Sequence, residues 1–210
     1  MIQKTLYIIR HGQTDLNKKG IIQGSGIDAD LNERGRNQGA AFYEAYKNVA
    51  FDKIYISGLK RTYQTVQKFI DAGSPYQKLT GLNELAWGIY EGQTSTAENK
   101  SAFMKIMRDW MEGRLDEKLE GGESPNELQT KQKEALEVII GHPEEKNVLI
   151  CMHGRALRLF LCLLTGVSLT NMDQFPHQNV VLYKVTFNGS QFEIVEFNNS
   201  DHLKNLGPEL

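Results

Sequence analysis

Short apolar runs alternate along the chain with longer amphipathic stretches. Residues 6–9 (LYII) are continuously apolar and end at Arg10-His11-Gly12, the pattern of a buried strand that feeds a loop. Lys53–Ile56 and residues 148–152 repeat the pattern, and the second ends at another His-Gly pair. Between these runs the period lengthens to that of helices. Asn32 can cap a helix running to about Val49, with Ala40, Ala41, Tyr43 and Ala45 at its apolar or small positions. Residues 59–72 read as a helix ended by Gly73 at C′. Ser124-Pro125-Asn126-Glu127 sets Ser at the N-cap, Pro at N1 and Glu at N3 of a helix reaching about Ile140. Residues 156–164 form an apolar helix closed by Gly166. Residues 180–187 and 192–197 flank Asn188-Gly189, which suits a type I′ hairpin turn.

Strands alternating with helices predict an α/β three-layer sandwich, with a mainly parallel central sheet covered by helices on both faces. In such sheets ligands sit beyond the carboxyl ends of the strands. Arg10-His11-Gly12, Ser57 with its following helix, and His153-Gly154 all fall at such ends, so one site can hold them all. Segment 94–121 breaks the alternation. Its helix, about 97–111, carries Phe103, Ile106, Met107, Trp110 and Met111, interleaved with Lys100, Lys105 and Arg108. It is expected to be a small helical cap inserted into one domain spanning 1–210. Its apolar stripe serves as core or as a lid.

Composition narrows the class. The 210 residues carry 24 Lys plus Arg against 26 Asp plus Glu, a net charge of −2. That balance argues against a nucleic-acid or anionic-membrane binder, yet a small anionic substrate needs only a few cations in a pocket. Two cysteines make no disulfide framework, no apolar run approaches a membrane span, and the N-terminal segment lacks a signal-peptide pattern. The expected compartment is the cytoplasm. Oligomeric state is not legible.

The strand ends carry the chemistry. Residues 57–62 (SGLKRT) open a helix directly after a strand, where free N–H groups and the helix dipole favour anions. Arg61 sits in that first turn, a position mildly unfavourable for a surface cation. Asn83-Glu84, Gly88 and Glu91-Gly92 form a glycine-punctuated loop with carboxylates. Two imidazoles, several guanidiniums and a carboxylate at one sheet edge suit phosphomonoester chemistry. Guanidinium forks grip a phosphate dianion, a neutral imidazole can attack phosphorus, and a carboxylic acid whose pKa is raised toward neutrality can protonate the leaving oxygen.

These residues, in this order, resemble the histidine phosphatase superfamily with its phosphoglycerate mutase-like fold. The resemblance runs from Leu6 to about Tyr183. It includes residues 6–14 (LYIIRHGQT), Asn17, Gln23-Gly24, residues 31–35 with Gln38, residues 57–62 with Gln64-Thr65, residues 82–84, Gly88, Glu91-Gly92, residues 121–124 and His153-Gly154. It implies that His11 is the phosphorylated nucleophile, that Arg10, Arg61 and His153 form the phosphate pocket, and that Glu84 donates the proton. It implies supporting substrate contacts at Asn17, Gln23, Gly24 and Gly154, and brings Asn179 close to the pocket. It implies a small phosphorylated substrate and no metal or organic cofactor. The chain departs from the family at Met152, at Arg155 after Gly154, at Asp30 in place of a proline, and at Gly58 in place of an acidic residue. Arg155 becomes either a substrate contact or a solvated side chain.

Residues 81–88 (GLNELAWG) resemble the hydrolytic branch and lack the arginines of the mutase branch. Phosphomonoester hydrolysis is therefore the expected activity. Phosphoglycerate mutase activity and phospho-ligand binding without turnover are the alternatives. A metal site on Cys151-x-His153 with His11 is a further one, although Cys151 fits inside its strand. Of the other histidines, His142 is expected to meet helix-terminal carbonyls and His202 to be solvated, while His177 lies in a segment near the site.

Overall fold

The structure is a computed structural model that describes residues 3–94 and 96–207. Six strands form one sheet: β1 (Lys4–Arg10), β2 (Lys53–Ile56), β3 (Tyr76–Lys78), β4 (Asn147–Met152), β5 (Leu182–Phe187) and β6 (Phe192–Asn199). Their order is β3-β2-β4-β1-β5-β6. The first four are mutually parallel, and β5 and β6 add an antiparallel hairpin at one edge. The helices are α1 (Asp15–Lys18), α2 (Glu33–Tyr46), α3 (Lys60–Asp71), α4 (Ala97–Met111), α5 (Pro125–Ile140) and α6 (Gly154–Thr165).

Strand side chains alternate between two cores. Leu6, Ile8, Tyr55, Val148, Ile150 and Met152 pack with α5, α6 and the Ile106 and Trp110 positions of α4. Tyr7, Ile9, Ile54, Ile56, Leu149 and Cys151 pack with Phe42 of α2 and Val66 and Phe69 of α3. The three layers expected from the sequence are thus present. Burying both faces explains why the strands read as continuous apolar runs. Each fully buried Leu, Ile or Val contributes roughly 1.5–3 kcal/mol.

Local signals set the element ends. Asn32 accepts from Gly35 N–H at the start of α2, and Ser124 and Glu127 form a reciprocal capping box at α5. Gly73 and Gly166, at φ 100° and 71°, take the left-handed conformation after α3 and α6. Four expectations change. Helix α2 stops at Tyr46 rather than near Val49. Helix α6 begins earlier, at Gly154, so His153 is its N-cap residue. In the hairpin, a type I′ turn needs positive φ at both central residues. Only Gly189 has it, at 101°, while Asn188 Oδ1 accepts from the N–H groups of Ser190 and Gln191. Finally, His142 pairs with Glu144, and Lys4 takes Ile139 O in the last turn of α5 together with His142 O just beyond it.

Among the described residues, no helix is long and apolar enough to cross a membrane.

Candidate active site

The carboxyl ends of β1, β2 and β4 bring Arg10, His11, Ser57 and His153 to one edge of the sheet. His11 follows β1, and its backbone N–H donates to Met152 O at the end of β4 (2.9 Å). Its Nδ1 lies 2.7 Å from Gly12 O, which can only accept. Nδ1 therefore carries the proton and the lone pair is on Nε2. Burial, then the charges of Arg10 and Arg61, hold His11 well below the usual imidazole range, so the ring is neutral. Gly12 is required here: a Cβ would come 2.5 Å from Gly35 O on α2. The His11 turn and α2 are in backbone contact. Asn179 Nδ2 donates to His11 O at 2.9 Å and holds the loop from the hairpin side.

Arg61 reaches this edge from the first turn of α3 and is buried. Its Nε donates to His153 Nδ1 at 3.1 Å, Nη1 to Ile27 O at 2.6 Å and Nη2 to Gly24 O at 3.2 Å. A guanidinium never accepts, so His153 Nδ1 is the bare nitrogen and its proton sits on Nε2. That proton points to Ser57 Oγ at 2.8 Å. The chain continues through Thr62 Oγ1, 2.9 Å away, to Leu59 O at 2.8 Å. Every hydrogen in this buried chain has one direction. His153 is also kept neutral, first by burial and then by Arg61, His11 and Arg10. Its ring centroid is 5.0 Å from that of His11. Both His153 nitrogens are used by the protein, so here it orients Arg61.

Arg10 donates from Nη1 to His177 O at 2.8 Å, and its buried Nε has no partner. Burial pulls it down to about 10, with Glu84 opposing, and it remains a cation. Glu84 is buried under the start of α6. Its Oε1 accepts from Leu85 N–H (3.0 Å) and Ala156 N–H (2.8 Å), and its Oε2 from Arg155 N–H (3.2 Å). These three bonds leave one lone-pair site, on Oε2. The N-terminus of α6 thus fixes the carboxylate where its charge acts on the guanidiniums of Arg10 and Arg61.

The remaining expected contacts divide. Gly24 supplies its carbonyl to Arg61, and a Cβ there would fall 1.9 Å from Glu91 Oε1. Gly154 lies against Arg10 and the His177 ring, each about 3.5 Å from where a Cβ would be. Asn17 is drawn into the cap of α1, where its Oδ1 accepts from Thr14 N–H, and Asn179 Nδ2 lies 3.4 Å from the same oxygen. Gln23 Nε2 donates to Thr14 Oγ1 at 2.6 Å, while its buried Oε1 has no partner. Arg155 is not solvated: its guanidinium pairs with Asp173 at 2.8 Å. His177 is half-buried and is lowered to about 3 by burial and then by Arg10, Arg158 and Arg155. His202 is not solvated either: it bonds Val180 O at 2.8 Å and packs on Phe42. Sequence reasoning missed the roles of Ser57, Thr62 and Lys4, because each rests on partners distant in the chain or fixed only by the fold.

The metal alternative does not assemble. Cys151 is spent on packing: its side chain lies in the core with Tyr7, Ile9 and Leu149, and burial pushes its thiol up. Among the described residues, the one group of three or more candidate ligands is His142, Glu144 and Glu145, away from His11 and His153.

Comparison with known proteins decides the family. The sequence description of the histidine phosphatase superfamily (branch 1) matches residues 6–200. The chain belongs to this superfamily. Within it, phosphoserine phosphatase 1 of Hydrogenobacter thermophilus is 27% identical, over 94% of this chain and 93% of the relative. "Probable phosphoglycerate mutase GpmB" of Serratia proteamaculans is 30% identical, over 77% of this chain and 75% of the relative. The crystal structure of an Entamoeba histolytica phosphoserine phosphatase with 3-phosphoglyceric acid superposes at a TM-score of 0.80, with 25% identity, covering 95% of this chain and 99% of that one. The superfamily fold and the two-histidine edge described above therefore coincide in one molecule.

Proposed function

We propose that the chain hydrolyses phosphomonoesters of small metabolites through a phosphohistidine on His11. The observation that carries this reading is the Nδ1 contact with Gly12 O, which leaves Nε2 as a neutral nucleophile beside Arg10 and Arg61. The Nε2 lone pair attacks phosphorus and the ester P–O bond breaks. Glu84 gives its proton to the departing oxygen, and an alcohol leaves. Water then attacks phosphorus, Glu84 takes its proton, and the P–N bond breaks to release phosphate and restore neutral His11. Arg10 and Arg61 stabilise the charge spread over the transferring group. Asn17, Gln23, Gly24 and Gly154 line the approach, and segment 94–121 is the cap of a single domain. The cytoplasm is the compartment assigned, in line with Cys151 and Cys162, which are free and buried.

The phosphatase names of the relatives support hydrolysis. The likeness to GpmB supports a second reading, return of the phosphoryl group to a substrate hydroxyl. One set of assays separates them. The protein is expected to turn over an aryl phosphate without 2,3-bisphosphoglycerate. His11→Ala is expected to abolish both turnover and phosphoenzyme labelling. Glu84→Gln should slow esters with poor leaving groups most, because protonation matters most there. Bisphosphoglycerate-primed interconversion of 2- and 3-phosphoglycerate would establish the mutase reading. An equal Glu84→Gln effect on all leaving groups would remove Glu84 from the acid role.

A further inference from the structure

Arg61 is aimed by main-chain carbonyls as well as by His153. A guanidinium has five N–H donors. Nε uses its one on His153 Nδ1, Nη1 uses one on Ile27 O and Nη2 uses one on Gly24 O. One N–H on each Nη remains for a ligand, and its direction follows from where the two carbonyls stand. The loop 24–27 therefore sets how Arg61 meets a phosphoryl group.

That loop lies on a carboxylate. A Cβ on Gly24 would fall 1.9 Å from Glu91 Oε1, and one on Gly26 would fall 2.8 Å from Glu91 Oε2. Only glycine lets the main chain rest this close to the carboxyl group. Glu91 is itself fixed from the other side. Its Oε1 accepts from Trp87 N–H at 2.8 Å, its own N–H donates to Gly88 O at 3.1 Å, and Gly92 N–H donates to Ile22 O at 3.0 Å. The Trp87 ring packs on Phe103 and Trp110 of α4, at centroid distances of 5.0 and 5.7 Å. Glu91 Oε2 is buried and has no hydrogen-bond partner, an unfavourable state for a carboxylate oxygen. Its charge acts on Arg61, which burial lowers first and which Glu84, Asp28 and Glu91 hold up in that order.

We propose that Glu91 is a positioning residue for Arg61: its carboxylate braces the main chain at Gly24 and Gly26 from the α4 side, and so fixes the two carbonyls that turn the remaining Arg61 N–H groups toward the phosphoryl group. This rests on the phosphatase reading above. Glu91 acts through the loop and not on the reacting atoms.

The test measures kcat/KM for p-nitrophenyl phosphate, inhibition by orthovanadate and urea unfolding in the wild type, Glu91→Ala, Arg61→Lys and the double variant. Vanadate takes the place of the transferring phosphoryl group, so its inhibition constant reads the grip on that group and is independent of the fraction of folded enzyme. Glu91→Ala is expected to weaken vanadate about 10-fold, the scale of one charge-assisted hydrogen bond, with a matching fall in kcat/KM. Lysine has no fork to aim, so in the Arg61→Lys background Glu91→Ala should weaken vanadate by about twofold or less. An unfolding midpoint that falls in Glu91→Ala while vanadate inhibition stays unchanged marks a merely structural residue and overturns the proposal. An equal loss of vanadate inhibition in both backgrounds overturns it as well. If Glu91→Ala or Arg61→Lys does not fold, Gly26→Ala decides. The three atoms nearest to a methyl there all belong to the Glu91 carboxyl group, so it presses on the brace alone and should weaken vanadate. An unchanged constant in Gly26→Ala then overturns the proposal. Turnover of p-nitrophenyl phosphate with vanadate inhibition indifferent to Glu91 removes this inference and leaves the phosphatase reading standing. No turnover by the wild type removes both.

Discussion

At the scale of single residues, the site is organised by hydrogen direction as much as by charge. His11 and His153 are both buried, neutral imidazoles, yet they hold opposite tautomers. Gly12 O pulls the proton of His11 to Nδ1, while Arg61 Nε forces that of His153 to Nε2. Ser57 is the residue that lets the second arrangement persist, because it accepts the Nε2 proton inside the core. Ser57→Ala leaves that donor unpaired, an unfavourable change of about 1–3 kcal/mol. The expected result is a lower unfolding midpoint together with a fall in kcat, because His153 then holds Arg61 less firmly. NMR of the ring nitrogens should show the His153 Nε2–H signal shifting as it loses its acceptor, a change that plain loss of stability would not cause. An unchanged His153 nitrogen spectrum in Ser57→Ala would end this account of its role.

Elements show which parts of the molecule are legible in sequence and which are not. Ser124 with Glu127, Asn32, Gly73 and Gly166 mark their helix ends through contacts within a few residues, so a linear pattern reveals them. Strand β3 has no such mark. Its three residues, Tyr76–Lys78, follow the exposure pattern of an edge, and they form a strand only because β2 pairs with them. In the site, Arg10, His11, Arg61, Glu84 and His153 are legible because their types recur at strand ends in a recognisable order. The Ser57–Thr62 chain and the inward turn of Arg155 depend on neighbours up to a hundred residues away in sequence. Helix α5 gives the same lesson at its far end. Gly141 stays right-handed at φ −68°, so no left-handed cap closes the helix. The buried ammonium of Lys4, from the first strand, donates instead to Ile139 O and His142 O. Lys4→Met is thus expected to destabilise the fold by about 1–3 kcal/mol through unpaired carbonyls. Urea unfolding measures it, and an unchanged midpoint would show that those carbonyls find other partners.

At the scale of the whole molecule, a net charge of −2 coexists with a cationic edge, and the balance between them sets the acid limit of stability. His11, His153, His177 and His202 all have lowered pKa values, each with burial as the first cause. His177 falls from 6.5 to about 3. A histidine lowered in the folded state takes up its proton only on unfolding. The unfolded chain therefore binds more protons below its own histidine pKa, and stability is lost as pH falls from about 6.5 toward the folded values. Above that range these groups are neutral in both states and contribute no slope. Each fully buried histidine adds at most about 1.4 kcal/mol per pH unit within the window. Denaturant midpoints measured near pH 8.5, 7.5, 6 and 5 should be nearly level between the first two and then fall steadily. His177→Gln, which removes one such group, should flatten the fall without moving its onset. A midpoint that rises as the solution is acidified from about pH 6.5 to 5 would mean that these imidazoles gain protons in the folded protein. The neutral state of the His11 nucleophile would then have to be abandoned with them.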